Sequence, residues 1–199
     1  MSIRLIALQF WTNHRIPFEC KDDWALKRID DFNRAVEKTI FITRRFGQAN
    51  YVTIAPGQPG SNIGMKGGAQ TLYFEGNSFY SIYHEMGHCV GLGHEYFHPN
   101  WPFRNALLGI CPCNTAAQMQ VCNHLRGNPL YLHKLAYLQA VNRYQHVGIF
   151  DAQSIMSYNP NNLELRGHGG ALIPYVQPQR LSAGDVTLIR SLYPFALPF

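Results

Sequence analysis

Apolar side chains at Leu26, Ile29, Phe32, Val36 and Ile40 recur every three to four positions. That spacing predicts an amphipathic helix over residues 22–39, with Asp22 or Asp23 capping its start. Short runs rich in β-branched and aromatic residues flank it: Ile16-Pro17-Phe18, Ile40-Phe41-Ile42, Tyr51–Ile54 and Gln70–Phe74. These read as strands, with Pro17 suggesting a sheet edge or a strand start. Pro56-Gly57 and Pro59-Gly60 mark a loop. Phe79 to Val90 reads as a second helix stopped by Gly91. Leu132, Leu135, Leu138 and Val141 place a helix over 130–144, and Ser182 to Asp185 is a capping-box pattern opening a last helix through Tyr193. Strands with a helix come first, then helices and irregular chain. The expected class is α+β, a two-lobed domain of 199 residues. Residues 1–94 would form an upper lobe, a mixed sheet with helices, and 95–199 a mostly helical and irregular lower one, with a cleft between.

Composition narrows the class. Apolar residues make up 46% and charged residues 15%, which excludes a disordered chain. No apolar run approaches the roughly 20 residues of a membrane span. The net charge of +5 comes from scattered Lys and Arg with no basic run, so a nucleic-acid tract is not expected. Met1 to Phe10 has too short an apolar core for a secretory leader. The expectation is a protein not exported by that route, or a chain that starts after removed segments. Five cysteines, Cys20, Cys89, Cys111, Cys113 and Cys122, are odd in number and partly clustered, which is not a spread disulfide framework. The cluster is compatible with a local disulfide, a small metal knot or reduced thiols.

The chemistry sits in His84-Glu85-Met86-Gly87-His88-Cys89-Val90-Gly91-Leu92-Gly93-His94-Glu95. On a helix, His84 and His88 lie one turn apart on the same face, so both can reach one ion. Glu85 is rotated off that line, free to address a water as general base. Gly91 supplies a left-handed turn that swings His94 back as a third ligand. Three protein ligands leave a fourth position open, which is the catalytic zinc arrangement rather than the structural one. Farther on, Met156 in Ser154–Tyr158 reads as a Met-containing turn beneath three imidazoles. A zinc-dependent endopeptidase is the reading; a zinc-holding binding module is its rival, against which intact Glu85 argues.

These residues resemble the astacin family of metzincins. Glu95 after the third histidine, Tyr158 two residues after Met156, Trp11 with Ile16-Pro17-Phe18, Tyr51–Ile54, Gly67–Gln70 and Leu181–Tyr193 carry the likeness. The resemblance implies one catalytic zinc on His84, His88 and His94. It implies Glu85 and Tyr158 as catalytic groups, with Tyr158 also a resting zinc ligand, and Gly91, Met156 and Glu95 as supports. A polypeptide would add as a strand near Met65 to Gln70. Arg166 or Arg180 would meet an acidic substrate residue, or else stay solvated. Glu95 would anchor the mature N-terminus or bond locally. A monomer, secreted or exported, is expected on the same ground. Departures are plain: Ile40 stands at an expected cysteine position, His98-Pro99 replaces an arginine, and Ser157 replaces a histidine.

Overall fold

Asp22, the expected cap, opens the first helix. Its side chain accepts a hydrogen bond from Ala25 N–H at 2.8 Å, and α1 runs Asp23–Val36. The computed structural model describes residues 10–95, 115–121, 150–157 and 176–199, with 4–5, 131, 134–135, 138, 144–145, 165–166 and 172–173. Ala25, Ile29, Phe32 and Val36 are buried, as the spacing requires. The helix ends three residues earlier than the pattern suggests. Glu37 takes a left-handed φ of 53°, and buried Asn33 then captures the departing chain. Asn33 accepts from the N–H groups of Ile40 and Phe41, and donates to Phe41 O at 2.9 Å. Ile40 thus leaves the helical pattern and leads into the strand that begins at Phe41.

The strands are β1 (Arg4–Leu5), β2 (Ile16–Cys20), β3 (Phe41–Thr43), β4 (Tyr51–Pro56) and β5 (Ala69–Phe74). Four of them form a sheet in the order β3-β2-β4-β5 whose strand pairs are all parallel, rather than the mixed sheet expected. Pro17 therefore sits in an interior strand, not on an edge. Ile16 N–H donates to Ile40 O and Phe18 O accepts from Arg44 N–H, so these two residues address β3. The missing donor of Pro17 faces the other side, where pairing with β4 begins only at Phe18. The strand-start reading is the one the register satisfies.

Parallel pairing requires cover on the sheet's faces. The helix α2 (Phe79–Cys89) packs against β5 and α1, and α1 also meets the C-terminal helix. Phe32, Phe41, Leu72, Phe74, Ile82 and Met86 join the common core at 2% exposure or less. Each such side chain contributes about 1.5–3 kcal/mol by leaving water. After α3 (Ala116–Val121) come β6 (Tyr144–Gln145), β7 (Leu165–Arg166), β8 (Leu172–Ile173) and α4 (Ala183–Leu192). β1 pairs with β6 and β7 with β8, both antiparallel. Of the helix expected over 130–144, residues 131, 134–135 and 138 are helical, whereas Tyr144 lies in a strand opposite Leu5. The mixed α+β class is the one expected. Among the described residues no helix is long and apolar enough to cross a membrane.

Candidate metal and catalytic site

Helix α2 is built to hold its polar face inside. Ser78 caps it, accepting from Ser81 N–H at 3.2 Å, and every residue from Ser81 to Cys89 is buried. Its C-terminal carbonyls have no intrahelical donors and must find others. Trp11 Nε1–H donates to Cys89 O at 2.9 Å, and Tyr193 O–H donates to Val90 O at 3.2 Å. Two aromatic residues, one near each end of the sequence, thereby fix where the helix stops. Gly91 then takes φ +101°, with Gly91 N–H donating to His88 O and Leu92 N–H to Gly87 O. A Cβ at Gly91 would press on Phe10 Cε1 at 3.1 Å, so strain and space both call for glycine.

That turn brings His94 back to the helix. His94 Nε2 lies 3.1 Å from His84 Nε2 and 3.1 Å from His88 Nε2. The opposite ring nitrogens are engaged by carbonyls. His84 Nδ1 lies 2.9 Å from Ile155 O, and His88 Nδ1 lies 2.8 Å from Leu92 O. A carbonyl can only accept, so both Nδ1 atoms carry the proton and both Nε2 atoms present lone pairs. Two such lone pairs aimed at the position shared with His94 Nε2 suit a cation. Tetrahedral zinc with Zn–N near 2.05 Å sets nitrogens about 3.3 Å apart, close to the spacing present. The residues therefore fit a zinc ion. Burial adds to this: it lowers the His84 pKa to about 4 and that of His88 to about 3, the latter also through the charge of His84. Both rings are neutral near pH 7 and available as ligands.

Glu85 is 6% exposed beside this cluster. Burial pushes its carboxyl up from the ordinary 4.5 to about 7, opposed by a hydrogen bond from Ser61. Ser61 Oγ lies 2.8 Å from Glu85 Oε2. Cys89, one helical turn on, is driven up to about 12 by burial first and by the charge of Glu85 second, which leaves its thiol inert.

Beneath the histidines lies the turn of residues 154–157, closed by Ser157 N–H to Ser154 O at 2.9 Å. Met156 is fully buried, and its Sδ sits where a Cβ on Gly87 would be. Asp185 on α4 holds the turn. It accepts from Ser154 O–H at 2.6 Å and from Ile155 N–H at 2.8 Å. It also accepts from Ser182 N–H at 2.9 Å, completing the expected capping box. Ile155 thus links Asp185 to His84: its N–H is held by one, and its carbonyl holds the other. Glu95 is fully buried and also joins this turn, with its N–H donating to Met156 O and its Oε2 accepting from Asp151 N–H. The local-bonding alternative for Glu95 is what the described residues contain; a contact from Met1 lies outside them.

Tyr158 lies outside the described residues, as do Cys111, Cys113 and Cys122 and the side chain of Arg166. Arg180 is exposed to solvent. Three contributors were not legible as such in the sequence. Ser61 carries no local signal at all. Asp185 announced itself only as a helix cap. Trp11 showed only as part of a family-like first strand.

The model of the astacin peptidase family matches residues 5–120, more than half of the chain. The chain belongs to the astacin family. It is accordingly an astacin-type zinc metalloendopeptidase, and the histidine cluster falls inside the matched span. The Met156 turn lies beyond that span and rests on its own geometry. Among solved structures, the astacin fold is matched by high choriolytic enzyme 1, a hatching-enzyme zinc protease from Oryzias latipes (medaka fish). The TM-score is 0.55 over 94% of this chain and 94% of that one, at 19% sequence identity. That likeness speaks for the fold. No curated protein sequence matches the chain significantly.

Proposed function

We propose that this astacin-family enzyme cleaves peptide bonds within protein substrates, with one zinc on His84, His88 and His94 and with Glu85 as the general base. The observation that carries the reading is the convergence of three Nε2 atoms beside a buried carboxylate. Zinc bound there supplies a water of lowered pKa and polarises the scissile carbonyl. The chain's own residues do the remainder. Ile155 O and Leu92 O hold the imidazoles in the tautomer that offers Nε2. Glu85 accepts the proton of the attacking water and returns it to the departing amine nitrogen. Tyr158 donates a hydrogen bond to the developing oxyanion, by family resemblance.

The substrate binds as an extended strand along the outer edge beside β5, near Met65 to Gln70. We read residues 1–94 and 95–199 as the two sides of its cleft, and the protein as a monomer that is secreted or exported, on family grounds. The test is cleavage of a diverse peptide library by zinc-loaded protein beside Glu85→Ala. Cutting by the natural chain and none by the variant, with both retaining zinc, supports the reading. Absence of cutting by both overturns it in favour of a zinc-holding binding module.

A further inference from the structure

Ser61 follows Gly60, whose N–H and O both bond to Tyr73 in β5, at 3.1 and 2.9 Å. Three residues after Ser61, Gly64 N–H donates to His88 O at 2.9 Å. The Gln70 side chain secures the same stretch, donating to Gly64 O and accepting from Lys66 N–H. The backbone around Ser61 is therefore anchored on both sides, to the sheet and to α2. Its position relative to Glu85 is set by main-chain bonds rather than by the serine itself.

From that anchored position the hydroxyl lies 2.8 Å from Glu85 Oε2 and 3.0 Å from Glu85 O, and it also neighbours the Cys89 thiol, which burial keeps neutral and so a weak acceptor. A hydroxyl carries a single proton, and a carboxylate is the stronger acceptor as well as the nearer one. Ser61 therefore ties Oε2. Among the described residues no other donor reaches the carboxylate, so Oε1 keeps its lone pairs. A glutamate head untied at both oxygens would rotate about its terminal torsion, which is broad and two-fold. Tied at one, it offers the same oxygen at each encounter, and misplacement of a base by about 1 Å is enough to cost rate.

We propose that Ser61 is a positioning residue for the peptidase reaction, holding Glu85 Oε2 so that Oε1 receives the proton of the reacting water. This rests on Glu85 being the base. The experiment uses the zinc-loaded full chain and one internally quenched peptide, with Ser61→Ala, Ser61→Thr and Glu85→Ala measured side by side. For each, kcat, KM, zinc content and melting temperature are recorded.

Loss of a hydrogen bond to a charged group lowers kcat of Ser61→Ala about tenfold to a hundredfold. KM, zinc content and melting temperature stay near those of the natural chain. Ser61→Thr, which keeps the hydroxyl, recovers most of kcat. If Ser61→Ala keeps its kcat while Glu85→Ala is inactive, the positioning role is wrong and the base assignment stands. If Glu85→Ala still turns over, the base assignment fails and the role of Ser61 with it. If Ser61→Ala loses activity, melts lower and is not recovered by threonine, Ser61 serves packing alone and the proposal is overturned.

Discussion

Gly87 lies between the two helical histidines, and replacing it with alanine separates two opposite expectations. In an open helix the change stabilises by about 0.5–1 kcal/mol, because glycine loses more backbone freedom on folding. Here the new Cβ would overlap Met156 Sδ, with Met156 Cε at 3.6 Å and Ile155 Cγ2 at 3.7 Å behind it. Met156 and Ile155 are both fully buried, so the thioether has no open side to move towards. Overpacking of this kind costs about 1–3 kcal/mol. The net expectation for Gly87→Ala is a loss of about 1 kcal/mol, or roughly 2–4 °C in melting temperature for a domain of this size.

Displacing the turn also moves Ile155 O away from His84 Nδ1, and loss of such support lowers metal affinity about 10–100-fold. Urea denaturation of metal-free protein gives the first quantity. Zinc titration against a chromophoric chelator gives the second. Met156→Ala removes the obstructing sulfur, so the double variant should show a favourable coupling of about 1 kcal/mol or more between the two sites. A Gly87→Ala protein more stable than the natural one, with unchanged zinc affinity, would refute the claim that Met156 is wedged against the zinc helix.

Asp185→Ala strips the acceptor from Ser154 O–H, Ile155 N–H and Ser182 N–H, and should destabilise by about 3 kcal/mol while weakening zinc binding; chemical denaturation and chelator competition check both. Burial raises the Glu85 pKa from 4.5 to about 7, so its protonated form stabilises the metal-free fold below pH 4.5 and that contribution is lost as pH rises through 7. Glu85→Gln avoids the loss, so metal-free variant and natural chain should match in stability near pH 4.5 and diverge by about 3 kcal/mol in the variant's favour above pH 7; parallel curves from pH 4 to 8 would contradict this. Iodoacetamide should alkylate half-buried Cys20 well before Cys89, whose thiol is pushed up to about 12; peptide mass mapping of the native protein reads the order.

Local rules were strong in three places. The three-to-four spacing of Leu26 to Val36 named α1, because one helical face had to be buried. Ser182 and Asp185 named the start of α4, because a cap and its reciprocal acceptor sit at a fixed offset. His84, Glu85, His88, Gly91 and His94 named the site, because a helical turn followed by a left-handed glycine leaves few ways for three imidazoles to meet. The same rules left alternatives open, or erred, where a residue had a partner outside its own element. Ile40 continued the helical pattern, but Asn33 drew it into the sheet entry. Pro17 suggested an edge or a strand start, and the stagger between β2 and β4 decided for the strand start. Tyr144 closed a helical pattern and was drawn into pairing with Leu5 instead.

The grouping of His84, His88 and His94 beside Glu85, and most of the order of elements, follow from the sequence by itself, since each depends on offsets of a few residues along a helix or strand. What orients them does not. Trp11 and Tyr193 stop α2 from 78 and 103 residues away, and Asp185 holds Ile155 from 30 residues away. Ser61 meets Glu85 across 24 residues. Such bonds leave no periodicity, because nothing in the chain's local geometry relates the two ends. They exist only once the sheet, α2 and α4 have packed. Burial then makes each one obligatory, because an unsatisfied polar group in the core costs more than the bond itself provides.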